Sequence, residues 1–325
     1  MKLLVIRFSS LGDIILTTPV LSAIKAKYPS ASIDFLVMDK FADAICGNPH
    51  IDHLLLFEKK RYRGLVGLAR FGRRLRQRNY DQIIDLHAKL RSILLSFFIG
   101  VPVFRYKKRR LSKTIGVKLR LRRYQADDTI VNNYFTAVKH LDIRPTKEEL
   151  RLDYSAEDAA NAANFENFIV LAPGAANATK KWPKEYFTQL GQLLEEKIVV
   201  VGGLEDADDG AEICHKIGPN CRNMAGKLTI KQSGALIARA KYIVCNDSGP
   251  FHIARGVKTK AFVFFGPTDP HMFSFDQGAI LIYAGLTCSP CSLHGDRKCP
   301  LGHFNCMRTL TPYKVMKIIL ASKKI

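Results

Sequence analysis

At 325 residues, with 47% apolar and 24% charged side chains, the chain has the balance of a globular protein long enough for two domains of about 150 residues each. That balance excludes a disordered, collagenous or coiled-coil chain. The longest nearly uncharged apolar run, 93–104, falls short of the roughly 20 residues a bilayer crossing takes. The net charge of +21 is concentrated: residues 59–78 hold nine Lys/Arg and residues 105–123 hold ten, with no acid in either segment. Such segments point to a polyanionic partner, whether nucleic acid, an anionic membrane or a phosphorylated glycolipid.

In chain order, 2–7 reads as a buried strand, 13–27 as a helix and 32–37 as a second strand. A strand over 53–57, a basic helix over 64–77 and a strand over 82–86 follow. Residues 93–98 close a helix and 101–104 form a further strand. The uniformly basic 106–124 reads as a mobile loop or loosely held helix, and 129–141 has helical spacing. A polar stretch from Arg144 to Asn167 is a linker with a short helix. The alternation then resumes: strands over 168–171, 198–201, 242–245 and 261–265, with helices from 184, over 207–216 and 230–240, and from 249. An amphipathic helix over 312–322 closes the chain. Strands alternating with helices predict an α/β protein with two doubly wound, Rossmann-like domains, and ligands bound at the strand C-termini. The N-terminus runs directly into a strand with no signal-peptide pattern, so the expected location is cytoplasmic.

Four loops at predicted strand ends carry unusual residues. After the first strand, Ser9, Ser10 and Gly12 permit a tight turn and Asp13 stands at a helix start. An acid there caps the helix; facing a ligand, it can also take a proton from a hydroxyl. The small-residue loop 172–183 ends in Lys180, Lys181 and Trp182, a phosphate cradle or an ordinary surface loop, with Trp182 as a packing anchor. Gly202 and Gly203 precede Glu205 and Asp206, where an acid could hold ribose hydroxyls. Asp247, Ser248 and Gly249 open a helix with His252 on its first turn, and a Gly266–Pro270 turn borders the same end.

Ser-Ser-Leu-Gly-Asp at 9–13, Lys180-x-Trp182-Pro183, Asp247-Ser248-Gly249-x-x-His252 and Gly266-Pro267-Thr268-Asp269-Pro270 together resemble the ADP-heptose:lipopolysaccharide heptosyltransferases, glycosyltransferase family 9. The motifs fall in the same order, and the resemblance runs from Lys2 to the last helix. It implies a GT-B enzyme whose two Rossmann-like domains face each other across a cleft: residues 1–160 binding the acceptor, 161–325 the nucleotide sugar, with the last helix packing back toward the N-terminal domain. It implies an inverting, metal-independent transfer with no cofactor. Asp13 would be the general base, in a loop with Ser9, Ser10 and Gly12. Lys180 would neutralise the donor phosphates; Asp247, Ser248, Gly249 and His252 would hold the diphosphate and heptose; Glu205 or Asp206 would bind the ribose. The donor would be ADP-heptose. The acceptor would be the phosphorylated, Kdo-bearing inner core on lipid A, and the basic segments would dock on the anionic inner leaflet. A related transferase using another nucleotide sugar or acceptor stays open. A nucleic-acid-binding protein is a third reading, without a recognisable recognition helix or RNA-binding signature.

Eight cysteines in a cytoplasmic protein are expected to be reduced, with Cys46, Cys214, Cys221 and Cys245 buried. Cys288, Cys291, Cys299 and Cys306 cluster within 19 residues, as a structural zinc site or as thiols packed within a loop.

Overall fold

The apolar run of β1 (Lys2–Ile6) suits a strand covered on both faces, and Leu3 to Ile6 are fully buried. The computed structural model describes residues 1–107, 129–146, 149–160, 162–275 and 278–322, and the basic run 108–124 lies outside them. The chain separates into two compact units between Asp153 and Tyr154.

In the first unit β1 pairs in parallel with β2 (Ser32–Met38) and β4 (Gln82–Asp85), and β3 (His53–Phe57) and β5 (Val103–Arg105) extend the sheet to the order β3-β2-β1-β4-β5. The expected helix over 13–27 is two helices, α1 (Leu11–Ile15) and α2 (Thr18–Lys27). Pro19 explains the break, since it has no N–H for the Ile15 carbonyl; the Thr18 hydroxyl donates to that oxygen instead, at 2.8 Å. Helices α3 (Gly64–Arg76) and α4 (Leu90–Ile99) lie side by side, and α5 (Ile130–Phe135) starts at Thr129, whose hydroxyl accepts from the Asn132 N–H. The predicted linker is partly core: Leu150 and Leu152 are buried. Its short helix α6 (Ala156–Ala160) falls in the second unit.

The second unit is built on a six-stranded parallel sheet of order β11-β10-β9-β6-β7-β8. Its strands are β6 (Phe168–Ala172), β7 (Lys197–Val200), β8 (Cys221–Asn223), β9 (Ile243–Asn246), β10 (Ala261–Phe265) and β11 (Ala279–Tyr283). Sequence reading misses both edges, three residues at β8 and a segment after a loop at β11. The helices are α7 (Lys184–Leu194), α8 (Ala207–Ile217), α9 (Ile230–Arg239), α10 (Gly249–Gly256), α11 (Asn305–Arg308) and α12 (Pro312–Ser322). The closing helix α12 packs on α7, with Val315 and Ile319 in the second unit's own core.

The cysteine expectation needs correcting at two places. Cys214 and Cys221 form a disulfide: a tight turn at Gly218 brings the end of α8 and the start of β8 to a Cα separation of 4.9 Å. Cys46 is exposed, whereas Cys245 is buried as expected.

Helix α3 meets α4 closely at Gly72, where an added Cβ would lie 2.5 Å from the Phe98 Cβ. Helix propensity favours Ala over Gly by about 1 kcal/mol, but forcing two packed helices apart costs about 1–3 kcal/mol. Gly72→Ala is therefore expected to lower the urea midpoint of unfolding despite its better propensity, which equilibrium denaturation would measure.

Candidate functional site

In each sheet the strand order reverses direction once, between β1 and β4 and between β6 and β9. The strand-end loops diverge there and leave a crevice, the usual ligand position in open parallel sheets. The predicted site residues fall at these two positions, and each is described within its own unit.

Beyond β1, Arg7 is 4% exposed. One guanidinium nitrogen donates to the Leu86 carbonyl beyond β4, and another pairs with Asp13 Oδ2 at 2.5 Å. Burial works against the Arg7 charge, but Asp13, with Tyr134 and Tyr106, more than offsets it and holds its pKa above the usual arginine value. Asp13 is not the helix cap. Ser10 is, and Asp13 sits three residues into α1, accepting from the Ser10 N–H at 3.2 Å and the Ser10 hydroxyl at 2.9 Å. Its Oδ1 meets the Tyr134 hydroxyl at 3.4 Å, and its side chain keeps 31% exposure. Ser9 is half-buried and Gly12 buried in the same turn. Burial raises the Tyr134 pKa well above normal, so this phenol stays protonated and can donate.

Three of these participants escaped sequence reading. Arg7 had a signal, a cation directly ending an apolar strand. Tyr134 has the spacing of a core residue and serves as both. Asp85 ends β4 fully buried; it accepts from the His87 and Ala88 N–H groups, the Ser92 hydroxyl and Arg105 Nε at 2.9–3.0 Å, fixing the neighbouring strand-end loop.

In the second unit, the loops after β6 and β9 meet. Lys180 Nζ pairs with Asp247 Oδ2 at 2.7 Å, and the Thr268 hydroxyl donates to the same oxygen at 2.9 Å. Asn246 holds the two loops together, accepting from the Trp182 N–H and donating to the Pro173 carbonyl. Trp182 is the anchor its position suggested: buried, stacked on Phe264 at 4.3 Å, its indole N–H on the Leu310 carbonyl. Ser248 is the N-cap residue of α10, and Gly249 and Pro250 open that helix, leaving backbone N–H groups at its start. His252 lies on the first turn but is buried between Phe251 and Phe273, both ring centroids at 5.1 Å.

The structure separates the two acids after β7. Asp206 is buried at 7% exposure, accepting from the Gly203 N–H and facing Lys181 at 3.6 Å. An added Cβ on Gly174 would lie 2.2 Å from its carboxylate, so Asp206 fills the space between two loops. Glu205 is exposed, with its carboxylate folded back over Gly203.

The cysteine-bearing segment has a use that its thiols did not reveal. The Ser289 hydroxyl donates to the Gly266 carbonyl, and the Cys291 and Ser292 N–H groups donate to the Pro267 carbonyl at 2.9 Å. Asp296 exchanges hydrogen bonds with Thr179, and Asn177 donates to the His294 carbonyl. Residues 289–296 thus grip both the Lys180 loop and the Thr268 loop. Among the described residues no three His, Cys, Asp or Glu side chains are grouped to hold a metal, so Cys288, Cys291, Cys299 and Cys306 do not assemble the zinc set that their spacing allowed. Burial, with the neighbouring thiols, pushes Cys306 up to about 12.

A model of the family described as glycosyltransferase family 9 (heptosyltransferase) matches residues 68–300. Lipopolysaccharide heptosyltransferase 2 of Escherichia coli K12 is 26% identical over 292 residues, 83% of this chain and 84% of that protein. Lipooligosaccharide heptosyltransferase 2 of Campylobacter jejuni is 25% identical over 320 residues, 94% and 93%. The solved structure of the E. coli ADP-heptose LPS heptosyltransferase II superposes with a TM-score of 0.77 at 23% identity, covering 99% of this chain and 98% of that one. That likeness identifies the fold as GT-B, with two Rossmann-like domains.

Burial, reinforced by Glu205, holds the Asp206 pKa above the ordinary carboxylate value against the Gly203 N–H and Lys181. The folded chain therefore binds this proton more readily than the unfolded chain, and stability falls as pH rises through and above the unfolded value of about 4. Asp206→Asn lacks that loss. Its melting temperature relative to wild type is expected to rise between about pH 4 and pH 7, and a gap that stays flat or shrinks would contradict the assignment.

Proposed function

The chain belongs to glycosyltransferase family 9, the heptosyltransferases, and on that premise we propose that it moves a heptose from ADP-heptose to the inner core of lipopolysaccharide. The names of its relatives support both ends of the reaction, as a lipopolysaccharide heptosyltransferase and as an ADP-heptose enzyme. One observation carries the reading: each sheet presents, at its strand-order reversal, a group that the transfer needs.

In this reading the first domain, which ends at Asp153 rather than at residue 160, binds the acceptor. An acceptor hydroxyl attacks the anomeric carbon of the heptose, the bond to the diphosphate breaks, ADP leaves and the hydroxyl proton passes to Asp13. The geometry suits that role. Asp13 Oδ2 is held by Arg7 and Ser10, while Oδ1 meets Tyr134 at the longer distance, on a side chain still open to solvent. Ser9, Ser10 and Gly12 shape the turn that presents it.

The second domain, from Tyr154 onward, binds the donor. Lys180 is largely shielded from solvent and prealigned by Asp247, so a diphosphate beside it meets a cation already in place. The backbone N–H groups opening α10 behind Ser248 and Gly249 add to it. His252, packed between aromatic rings, shapes the sugar end. Of the two acids, Glu205 is the one on the surface and the better placed to reach a ribose, with Asp206 bracing the loop beneath. No cofactor is needed for such a displacement. The location proposed is the cytoplasmic face of the inner membrane, held peripherally, supported by the basic segments 59–78 and 105–123 and by the lipid-borne acceptor of this reading.

The test is turnover with ADP-heptose on Kdo-lipid A and on its mono-heptosylated form. Transfer to one acceptor is expected, with Asp13→Ala reducing kcat at least about a hundredfold per folded molecule and lowering the melting temperature, because the buried Arg7 loses its carboxylate. Full activity in Asp13→Ala would return the residue to a structural role, and no transfer to either acceptor would exclude this donor–acceptor pair. Lys180→Ala is expected to lower kcat by roughly a hundredfold or more, because its partner is the charge that builds on the leaving diphosphate. Steady-state kinetics with varied ADP-heptose would separate this from a loss of donor binding alone.

A further inference from the structure

Leu90, Ile93 and Phe97 stand three and four residues apart on α4 and so share one face of it. That face looks into solvent, with Leu90 72% and Phe97 76% exposed. Leu65 and Val66, on the first turn of α3, are exposed as well. A groove of about 800 Å³ joins the two helices, with Leu65 and Leu90 in its wall beside Lys59, Lys60, Arg63 and Arg91. Exposed apolar side chains scattered singly are ordinary; five on adjoining helices mark an interaction surface.

The charge around them is of one sign. Arg70, Arg73, Arg74 and Arg76 are exposed along α3, and the sequence has no Asp or Glu in 59–80 or 86–126. The neighbouring Glu58 is paired with Arg61 at 3.5 Å. An apolar stripe ringed by cations fits the boundary of an anionic bilayer, with apolar side chains below the headgroups and Lys/Arg at their level. A second copy fits poorly, because a symmetric contact would set these cations against each other with no acid to answer them. A nucleic acid would use the cations yet leave Leu90, Ile93 and Phe97 against water.

We propose that α3 and α4 form an interfacial membrane anchor. Leu90, Ile93 and Phe97 enter the acyl region of an anionic leaflet, while the arginines of α3 and the lysines at the groove mouth hold its headgroups. The inference deepens the peripheral membrane location proposed above but needs neither the donor nor the acceptor assigned there, so the test contains neither.

The full-length protein is floated with vesicles of phosphatidylethanolamine and phosphatidylglycerol, and separately with phosphatidylcholine. Binding is expected to the anionic vesicles only. Leu90→Gln with Phe97→Gln should reduce partitioning roughly tenfold and abolish the fraction that survives high salt, since salt screens the cations but not insertion. Both changes remove exposed apolar groups, so the melting temperature should hold. Phe97→Trp adds one tryptophan to a chain whose only other, Trp182, is buried. Its emission should shift to the blue on anionic vesicles and be quenched by brominated acyl chains. Any of four results would overturn the proposal: no binding by the wild type, equal binding by the double variant, Phe97→Trp emission indifferent to vesicles, or self-association that the double variant abolishes. Capture by duplex DNA as tight as by anionic vesicles, and insensitive to Phe97→Gln, would assign the face to nucleic acid instead.

Discussion

A guanidinium taken almost wholly out of water has to be answered by a carboxylate, and much of the first domain is arranged around that demand. Arg7 leaves the end of β1, reaches across to the Leu86 carbonyl beyond β4, and closes on Asp13. One side chain thereby ties the two central strands to the short helix that follows the first. The acid proposed to receive the proton is held on several sides before any substrate arrives. Such prior orientation is what separates a reacting group from an ordinary surface acid.

The second domain solves the mirror problem with the opposite sign. Lys180 is the group that should meet a diphosphate, and Asp247 with Thr268 keeps it at the strand ends. Asn246 braces the same two loops from below, and Trp182 pins the outgoing chain into the core. In both domains the polar site rests on neighbouring parallel strands whose loops leave in opposite directions. Polar groups can gather there without breaking a helix or strand.

Much of this was readable beforehand, for physical reasons that differ by element. Apolar runs such as Lys2–Ile6 and Phe168–Ala172 announce covered parallel strands, and Ser, Gly and Asp clusters behind them announce tight turns into helices. The break at Pro19 was also written in the sequence, but the apolar spacing on either side concealed it. Edge strands were harder: three residues at β8 are too few for any period to show. The partners of Asp13 stayed hidden because a tyrosine at core spacing and an arginine closing a strand look structural until the fold brings them together. The Cys214–Cys221 bond runs against the expectation for a cytoplasmic compartment, although a seven-residue separation across a turn leaves the two sulfurs neighbours.

The segment from Ser289 to Asp296 clasps the loops of Lys180 and Thr268 at once. The two walls of the proposed donor site are therefore not independent parts. A change that shifts one wall is transmitted to the other through a single piece of chain that carries none of the proposed ligand-binding residues. Anyone redesigning the sugar preference of this protein would do better to edit the first turn of α10 and leave the clasp alone. Altering the clasp would move both walls together.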